Sequence, residues 1–408
     1  METQHTSQGQ GRIQEFTIVD VAYRGAGIAK DDGIVTFIPG TLPGEKVLAK
    51  VVSNKKRFQN AILIKVLTPS ANRIEPCCRT DKGEQIPGCV YDHVDYKAEV
   101  ELKNSQLKNF LRNLAAPEVF LPPFASPAPL GYRNKIVLHV QRRGAQCKIG
   151  YLGEDNKTVV DIQRCPLANP SINYAWSRMR QHAAYSLPDG ASITFRHTEA
   201  DGVLSWEGKA PSDIGCLTEH SPVGDLQVPT DGFYQVNPQV AYALVEQVRQ
   251  WLKEIVSETP CDTLLDLYCG VGVFALAAAA DGFKNIIGVE SGRNAIAAAK
   301  RNAKNLGLNG VTFICDTVAG FAKNGLDDIP LNDAVVIADP PRQGMEPETV
   351  QALASSQLQK LIYVSCDPAT LTRDLSSLAE KGFKIKKAQV FDMFPRTAHF
   401  ESLIYLSR

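Results

Sequence analysis

Leu264-Leu265-Asp266-Leu267-Tyr268-Cys269-Gly270-Val271-Gly272 reads as a buried strand running into a glycine-rich turn, with an alanine-rich helical stretch behind it. Glycines at 270 and 272 let a ligand lie against the backbone and against the N-terminus of that helix. A single G-x-G is weak, and a plain structural turn explains it equally well. Acidic residues downstream make it more specific. Glu290 ends the next strand about 20 residues on, where a carboxylate accepts hydrogen bonds from ribose hydroxyls. Asp316 and Asp339 end the third and fourth strands, so all three carboxylates face one crevice. The pattern suggests a nucleoside cofactor. Ala275 at the place of a third glycine leans mildly away from NAD.

Cysteine is the other residue type that could do chemistry, with ten among 408 residues. The polar N-terminus lacks the apolar core of a secretory signal. The longest apolar run, Val271 to Ala280, falls short of the roughly 18 residues of a membrane helix. A cytoplasmic protein with no membrane contact is expected, and structural disulfides are rare in that compartment. The cysteines then read as metal ligands, a catalytic thiol, buried hydrophobes, or a mixture. Lys+Arg 44 balance Asp+Glu 44. That balance excludes a uniformly basic coat, but not a local basic groove.

The elements that position these residues divide the chain in three, in line with a prior of roughly 150 residues per domain. A composition of 44% hydrophobic and 22% charged residues excludes wholesale disorder. Only the first ten residues read as a disordered tail. Residues 11–68 alternate short β-rich runs with turn signals, as a small closed barrel does. Residues 69–230 open with three cysteines and little periodicity. A helical pattern follows from Tyr96, with Val100, Leu102, Leu107, Phe110 and Leu114 near one side, and then a mixed α/β unit. From 231 to 408, the strands TLLDL, NIIGV, VTFI, AVVIA and LIYVS alternate with helical stretches, a doubly wound α/β sheet. Two further strand candidates, IKKAQVFD and SLIYLS, end the chain.

Five blocks in order carry a resemblance. They are Phe233-Tyr234-Gln235-Val236-Asn237, the DLYCGVG turn, Asp339-Pro340-Pro341-Arg342-Gln343-Gly344, Ser365-Cys366-Asp367-Pro368-Ala369-Thr370, and Phe394-Pro395-Arg396-Thr397-Ala398-His399-Phe400-Glu401. Together they resemble the S-adenosylmethionine-dependent RNA uracil-5 methyltransferases, which include 23S ribosomal RNA and transfer RNA enzymes. The N-terminal barrel resembles that family's TRAM domain. The resemblance covers nearly the whole chain. It implies an α/β protein with a Rossmann-like class I methyltransferase domain, an OB-like TRAM barrel and a central α/β domain. It also implies S-adenosylmethionine as cofactor and structured RNA, with the target uridine in a loop, as partner of a monomeric enzyme. Barrel and cysteine region together tilt toward 23S ribosomal RNA. Transfer RNA is the alternative, and a non-catalytic RNA-binding or assembly factor is the rival from another class.

Uracil C5 is a poor nucleophile. A thiolate adding to C6 makes an enolate whose C5 attacks the sulfonium methyl, after which a base removes the C5 proton and the thiolate leaves. The resemblance places the nucleophile at Cys366 and the base at Glu401. Gln235, Tyr268, Glu290 and Asp339 match positions that hold the cofactor, alongside Gly270 and Gly272. Asp316 is an adenine-side candidate, with helix capping as its structural alternative. Val273 stands where family members often carry Asn, which removes one polar contact.

In the family, four cysteines near the barrel hold a [4Fe–4S] cluster by thiolate ligation. Cys77, Cys78, Cys89 and Cys165 are the corresponding candidates, with Ile86 where a second ligand is expected and zinc as the chemical alternative. Cys147, Cys216, Cys261, Cys269 and Cys315 read as small buried hydrophobes. Lys55-Lys56-Arg57-Phe58, Arg133, Lys135, Arg142 and Arg143 are candidate RNA contacts, each with a merely solvated face as its alternative.

Overall fold

The computed structural model describes residues 11–408 except 32, 145, 212–214 and 327, so the expected N-terminal tail lies outside the described residues. Five strands close a barrel in the order β1-β2-β3-β5-β4: β1 (Ile13–Val21), β2 (Ala26–Asp31), β3 (Ile34–Pro39), β4 (Lys46–Asn54) and β5 (Phe58–Thr68). Alternation turns Phe16, Ile18, Ile38, Val47 and Ala49 inward to fill it.

A loop with three cysteines leads to α1 (Tyr96–Leu111), capped by the Asp95 carboxylate accepting from the N–H groups of Lys97 and Ala98. The central sheet has the order β10-β9-β6-β7-β8. Its strands are β6 (Lys135–Arg143), β7 (Gln146–Leu152), β8 (Val159–Asp161), β9 (Ser192–Thr198) and β10 (Gly202–Glu207), with α2 (Pro170–Ser186) packed on it through Trp176. A hairpin of β11 (Cys216–Ser221) and β12 (Gly224–Pro229) follows.

The last part is a seven-stranded sheet. After α3 (Pro238–Glu258) come β13 (Thr263–Leu267), α4 (Val273–Ala280), β14 (Asn285–Glu290), α5 (Arg293–Asn305), β15 (Val311–Cys315) and α6 (Val318–Asn324). Then follow β16 (Ala334–Ala338), α7 (Pro347–Ser355), β17 (Lys360–Ser365), α8 (Pro368–Ala379), β18 (Lys384–Phe391) and β19 (Glu401–Ser407). The order is β15-β14-β13-β16-β17-β19-β18, parallel from β13 to β17, with β19 antiparallel to both its neighbours. Strands β13, β16 and β17 are buried along their whole length, which is why they read as unbroken apolar runs. The strand order reverses between β13 and β16, and a crevice opens there above the carboxyl ends.

Two elements from the expected central region pack on this sheet. Leu107 and Leu111 of α1 join its core. The β11–β12 hairpin is tied to α5, with the Gln227 N–H donating to Asn302 Oδ1 at 2.7 Å. Among the described residues no helix is long and apolar enough to cross a membrane.

Candidate active site

One cleft of about 1030 Å³ lies at that strand reversal. Gln235, Tyr268, Gly270, Glu290, Asp339, Cys366 and Glu401 all line it. Local folding explains several of these placements. Asn134 holds the Gln235 segment, its side chain donating to the Gln235 carbonyl at 3.2 Å and its N–H to the Val236 carbonyl at 3.0 Å. Cys366 emerges from β17 just before Asp367, whose carboxylate accepts from the N–H groups of Ala369 and Thr370 and caps α8, with Pro368 in its first turn. The SCDPAT block is thus a strand end and a helix start built around the thiol. Tyr268 sits in the left-handed region at φ 62°, and its hydroxyl donates to Glu346. Glu290 accepts from the Gly292 N–H at 2.6 Å, which orients its carboxylate at the cleft edge.

Two expected cofactor residues stand outside the lining. Gly272 has φ 89°, and a Cβ there would come within 2.8 Å of the Phe313 ring, so its glycine is required by packing. Asp316 is exposed and accepts from the N–H of Thr317 at 2.7 Å; Thr317 and Val318 line the cleft in its place. The cleft also takes Arg133, expected as an RNA contact, and Arg342, Glu346 and His399, which type and spacing alone did not single out. Arg342 and His399 belong to the motif blocks, so the signal for them was present. Glu346 had none.

The electrostatics favour a cation in the cleft. Protein atoms packed around Asp339 push its carboxyl up to about 7. Glu401 is 3% exposed, its Oε2 has no hydrogen-bond partner among the described residues, and burial, then the Asp339 charge, holds it well above the usual carboxylate range. Burial pushes the Cys366 thiol up to about 12, with Glu401 and Asp339 adding and the Arg342 guanidinium opposing. A sulfonium beside these groups relieves that repulsion.

Residues 224–408 match the family described as tRNA (uracil-5-)-methyltransferase, and residues 8–64 match the TRAM domain. Over 422 residues the chain is 31% identical to the 23S rRNA (uracil(1939)-C(5))-methyltransferase RlmD of Shewanella woodyi, covering 93% of this chain and 92% of that one. This chain belongs to the RNA uracil-5-methyltransferase family. It is an RNA (uracil-5-)-methyltransferase, transferring a methyl group from S-adenosylmethionine to C5 of a uridine in RNA. The RlmD of Marinomonas sp. is 29% identical over 433 residues, 98% of this chain and 96% of its own. Among solved structures, the Pyrococcus abyssi tRNA (uracil-54, C5)-methyltransferase, in complex with S-adenosyl-L-homocysteine, shares the fold. Its TM-score is 0.73 at 24% identity, covering 96% of this chain and 99% of that one.

The cysteines depart from expectation. Cys77, Cys78, Cys89 and Cys165 do gather in one core cluster around Ile86, with Cys78, Cys89 and Cys165 buried. Their sulfurs are otherwise engaged: Cys77 and Cys78 touch at 4.0 Å, and the Tyr151 hydroxyl donates to Cys165 at 3.2 Å. Among the described residues no group of three or more His, Cys, Asp or Glu is arranged to hold a metal ion, so these four as placed do not fit a [4Fe–4S] cluster. Of the five remaining cysteines, Cys261 and Cys269 are buried as expected. Cys147 and Cys216 are half-buried, and Cys315 is exposed at the end of an edge strand. Arg142 is also unlike the expected RNA contact, since its guanidinium donates to the carbonyls of Leu187 and Ala184 at 2.7 Å each.

Proposed function

We propose that this enzyme methylates a uridine of 23S ribosomal RNA, with Cys366 as the nucleophile at C6 and Glu401 as the base at C5. The observation that carries the catalytic assignment is the meeting of Cys366 and Glu401 in one acidic cleft. The full-length relatives named as 23S rRNA enzymes support the substrate.

In this mechanism the Cys366 sulfur forms a bond to C6 and the ring electrons shift toward C5 and O4. C5 then takes the methyl group as the C–S bond to the donor breaks. Glu401 accepts the C5 proton, the C5=C6 bond reforms, and the Cys366 sulfur departs. Arg342 opposes the negative charge that gathers as the thiol ionises. Gln235, Tyr268, Gly270, Glu290 and Asp339 hold the methyl donor. The uridine reaches Cys366 by leaving its stack, as a base in a loop does at least cost. Lys56 and Arg57, both exposed on the barrel, are the RNA contacts this reading keeps there.

Mapping 5-methyluridine in ribosomal and transfer RNA from cells with and without the enzyme tests the substrate. Loss from 23S RNA is expected, and loss confined to transfer RNA would replace it. The iron–sulfur expectation stands apart from this chemistry, and no step runs through it. Iron analysis of anaerobically purified protein decides it: about four irons per chain would establish a cubane and a rearranged cysteine loop. Sedimentation measures the expected monomer.

A further inference from the structure

Resting on the reading of Glu401 as the base, we propose that Arg396 is a positioning residue that clamps the Phe394–Phe400 segment to the cysteine-bearing loop and so sets the direction of the Glu401 carboxylate. Arg396 is 5% exposed, and its backbone sits in the left-handed region at φ 67°. A non-glycine residue persists there only where its surroundings over-determine it. The surroundings here do so. Its N–H donates to Glu99 Oε1 at 2.6 Å. Its Nη1 donates to the Val94 carbonyl at 2.5 Å, the Tyr91 carbonyl at 3.5 Å and Glu99 Oε2 at 3.3 Å. Its carbonyl accepts from the Tyr91 N–H at 3.1 Å, and its guanidinium lies 5.3 Å from the centre of the Tyr96 ring.

The neighbouring residues are fixed in the same way. The Tyr132 hydroxyl donates to the Pro395 carbonyl at 3.0 Å, and Lys103 to the Phe394 carbonyl at 3.2 Å. Glu401 needs this support, because among the described residues no partner holds its Oε2. Its aim is therefore inherited from the backbone that delivers it. Tyr91 lies two residues beyond Cys89, so the cysteine loop serves as the wall against which the base-bearing segment is set, with or without a metal.

The test compares Arg396→Ala, Arg396→Lys and Glu401→Gln in the full-length enzyme, using RNA whose uridines carry tritium at C5. For Arg396→Ala, tritium release should fall about 10²-fold, the loss expected when a reacting group is displaced by about 1 Å. Covalent RNA–enzyme adduct should accumulate on denaturing gels, while affinity for S-adenosylmethionine and KM for RNA stay unchanged. Arg396→Lys should fall between, and added guanidinium should restore the alanine variant. Wild-type tritium release in Arg396→Ala would overturn the proposal, as would parallel loss of cofactor binding and adduct formation in both variants. If Glu401→Gln traps adduct and Arg396→Ala does not, the clamp alone is wrong. If Glu401→Gln turns over normally, the assignment of the base fails and this proposal falls with it.

Discussion

Ser365 and Ser402 face each other as the last pair between β17 and β19, so Cys366 and Glu401 leave neighbouring antiparallel strands one residue beyond that rung. The sheet register, rather than any local motif, sets thiol and carboxylate side by side. On its other edge Glu401 pairs with Phe391 of β18, which holds its backbone from that side. Exchanging the roles of either residue is thereby open to direct test.

Cys366→Ala should lose more than about 10³-fold in methylation, since no other thiol lines the cleft among the described residues. Binding of S-adenosylmethionine, measured by calorimetry, should be unchanged. Glu401→Gln should lose about 10²- to 10⁴-fold in turnover and accumulate a slowly migrating RNA adduct.

The ionisation of Cys366 predicts a pH dependence. Its thiol is pushed up to about 12, first by burial and then by Glu401 and Asp339. Between pH 7 and 9 the thiolate is therefore the minor form, and its fraction should grow about tenfold per pH unit. Iodoacetamide labelling of Cys366, followed by peptide mass, should rise across that range without a plateau. Arg342→Ala should slow it at every pH, because the guanidinium favours the thiolate. Bound S-adenosylmethionine, a cation, should accelerate labelling wherever the reagent still has access.

Asp266 links stability to pH. It is fully buried in β13, its Oδ2 accepts from the Ala275 N–H at 2.9 Å, and its Oδ1 has no partner among the described residues. Burial raises its carboxyl to about 8, against about 3.9 in the unfolded chain. A raised folded value means that the folded state holds the proton through that window, so its stabilising share is full below pH 4 and drains away toward pH 8. Thermal midpoints should fall between pH 5.5 and 8, and the fall should be smaller in Asp266→Asn. An equal fall in both proteins would contradict the linkage.

Lys103 is wholly buried between Glu99 and Asp392, 2.7 Å from each. Those two carboxylates hold its ammonium in the charged form against burial. Lys103→Met removes the cation, leaving Asp392 without a counter-charge and Glu99 with Arg396 alone, which should cost roughly 3–5 kcal/mol in denaturant-unfolding free energy. A change near zero would show that the carboxylates neutralise by taking up protons.

Much of this molecule was readable before folding. Buried strands of a parallel sheet announce themselves as unbroken apolar runs, and β13, β16 and β17 lie where TLLDL, AVVIA and LIYVS put them. Glycine and carboxylate at strand ends marked the crevice. Residue type does not separate the two roles at Gly272 and Asp316, because a glycine that clears Phe313 and a carboxylate bonding its own loop look, in sequence, like ligand contacts. Cys315 was read as a buried hydrophobe, yet β15 is an edge strand, and sequence does not say which strand has no neighbour.

The sequence by itself determined the order of the motifs, the strand and helix periodicities and a net charge of zero, since these are properties of neighbours along the chain. Tertiary structure decided which of those residues share a site. The Ser365–Ser402 pairing and the contact between Arg396 and Glu99, 297 residues apart, exist only once close packing has chosen one register and one set of partners. Burial is decided at that same step, and with it the high proton affinity of Glu401 and Cys366.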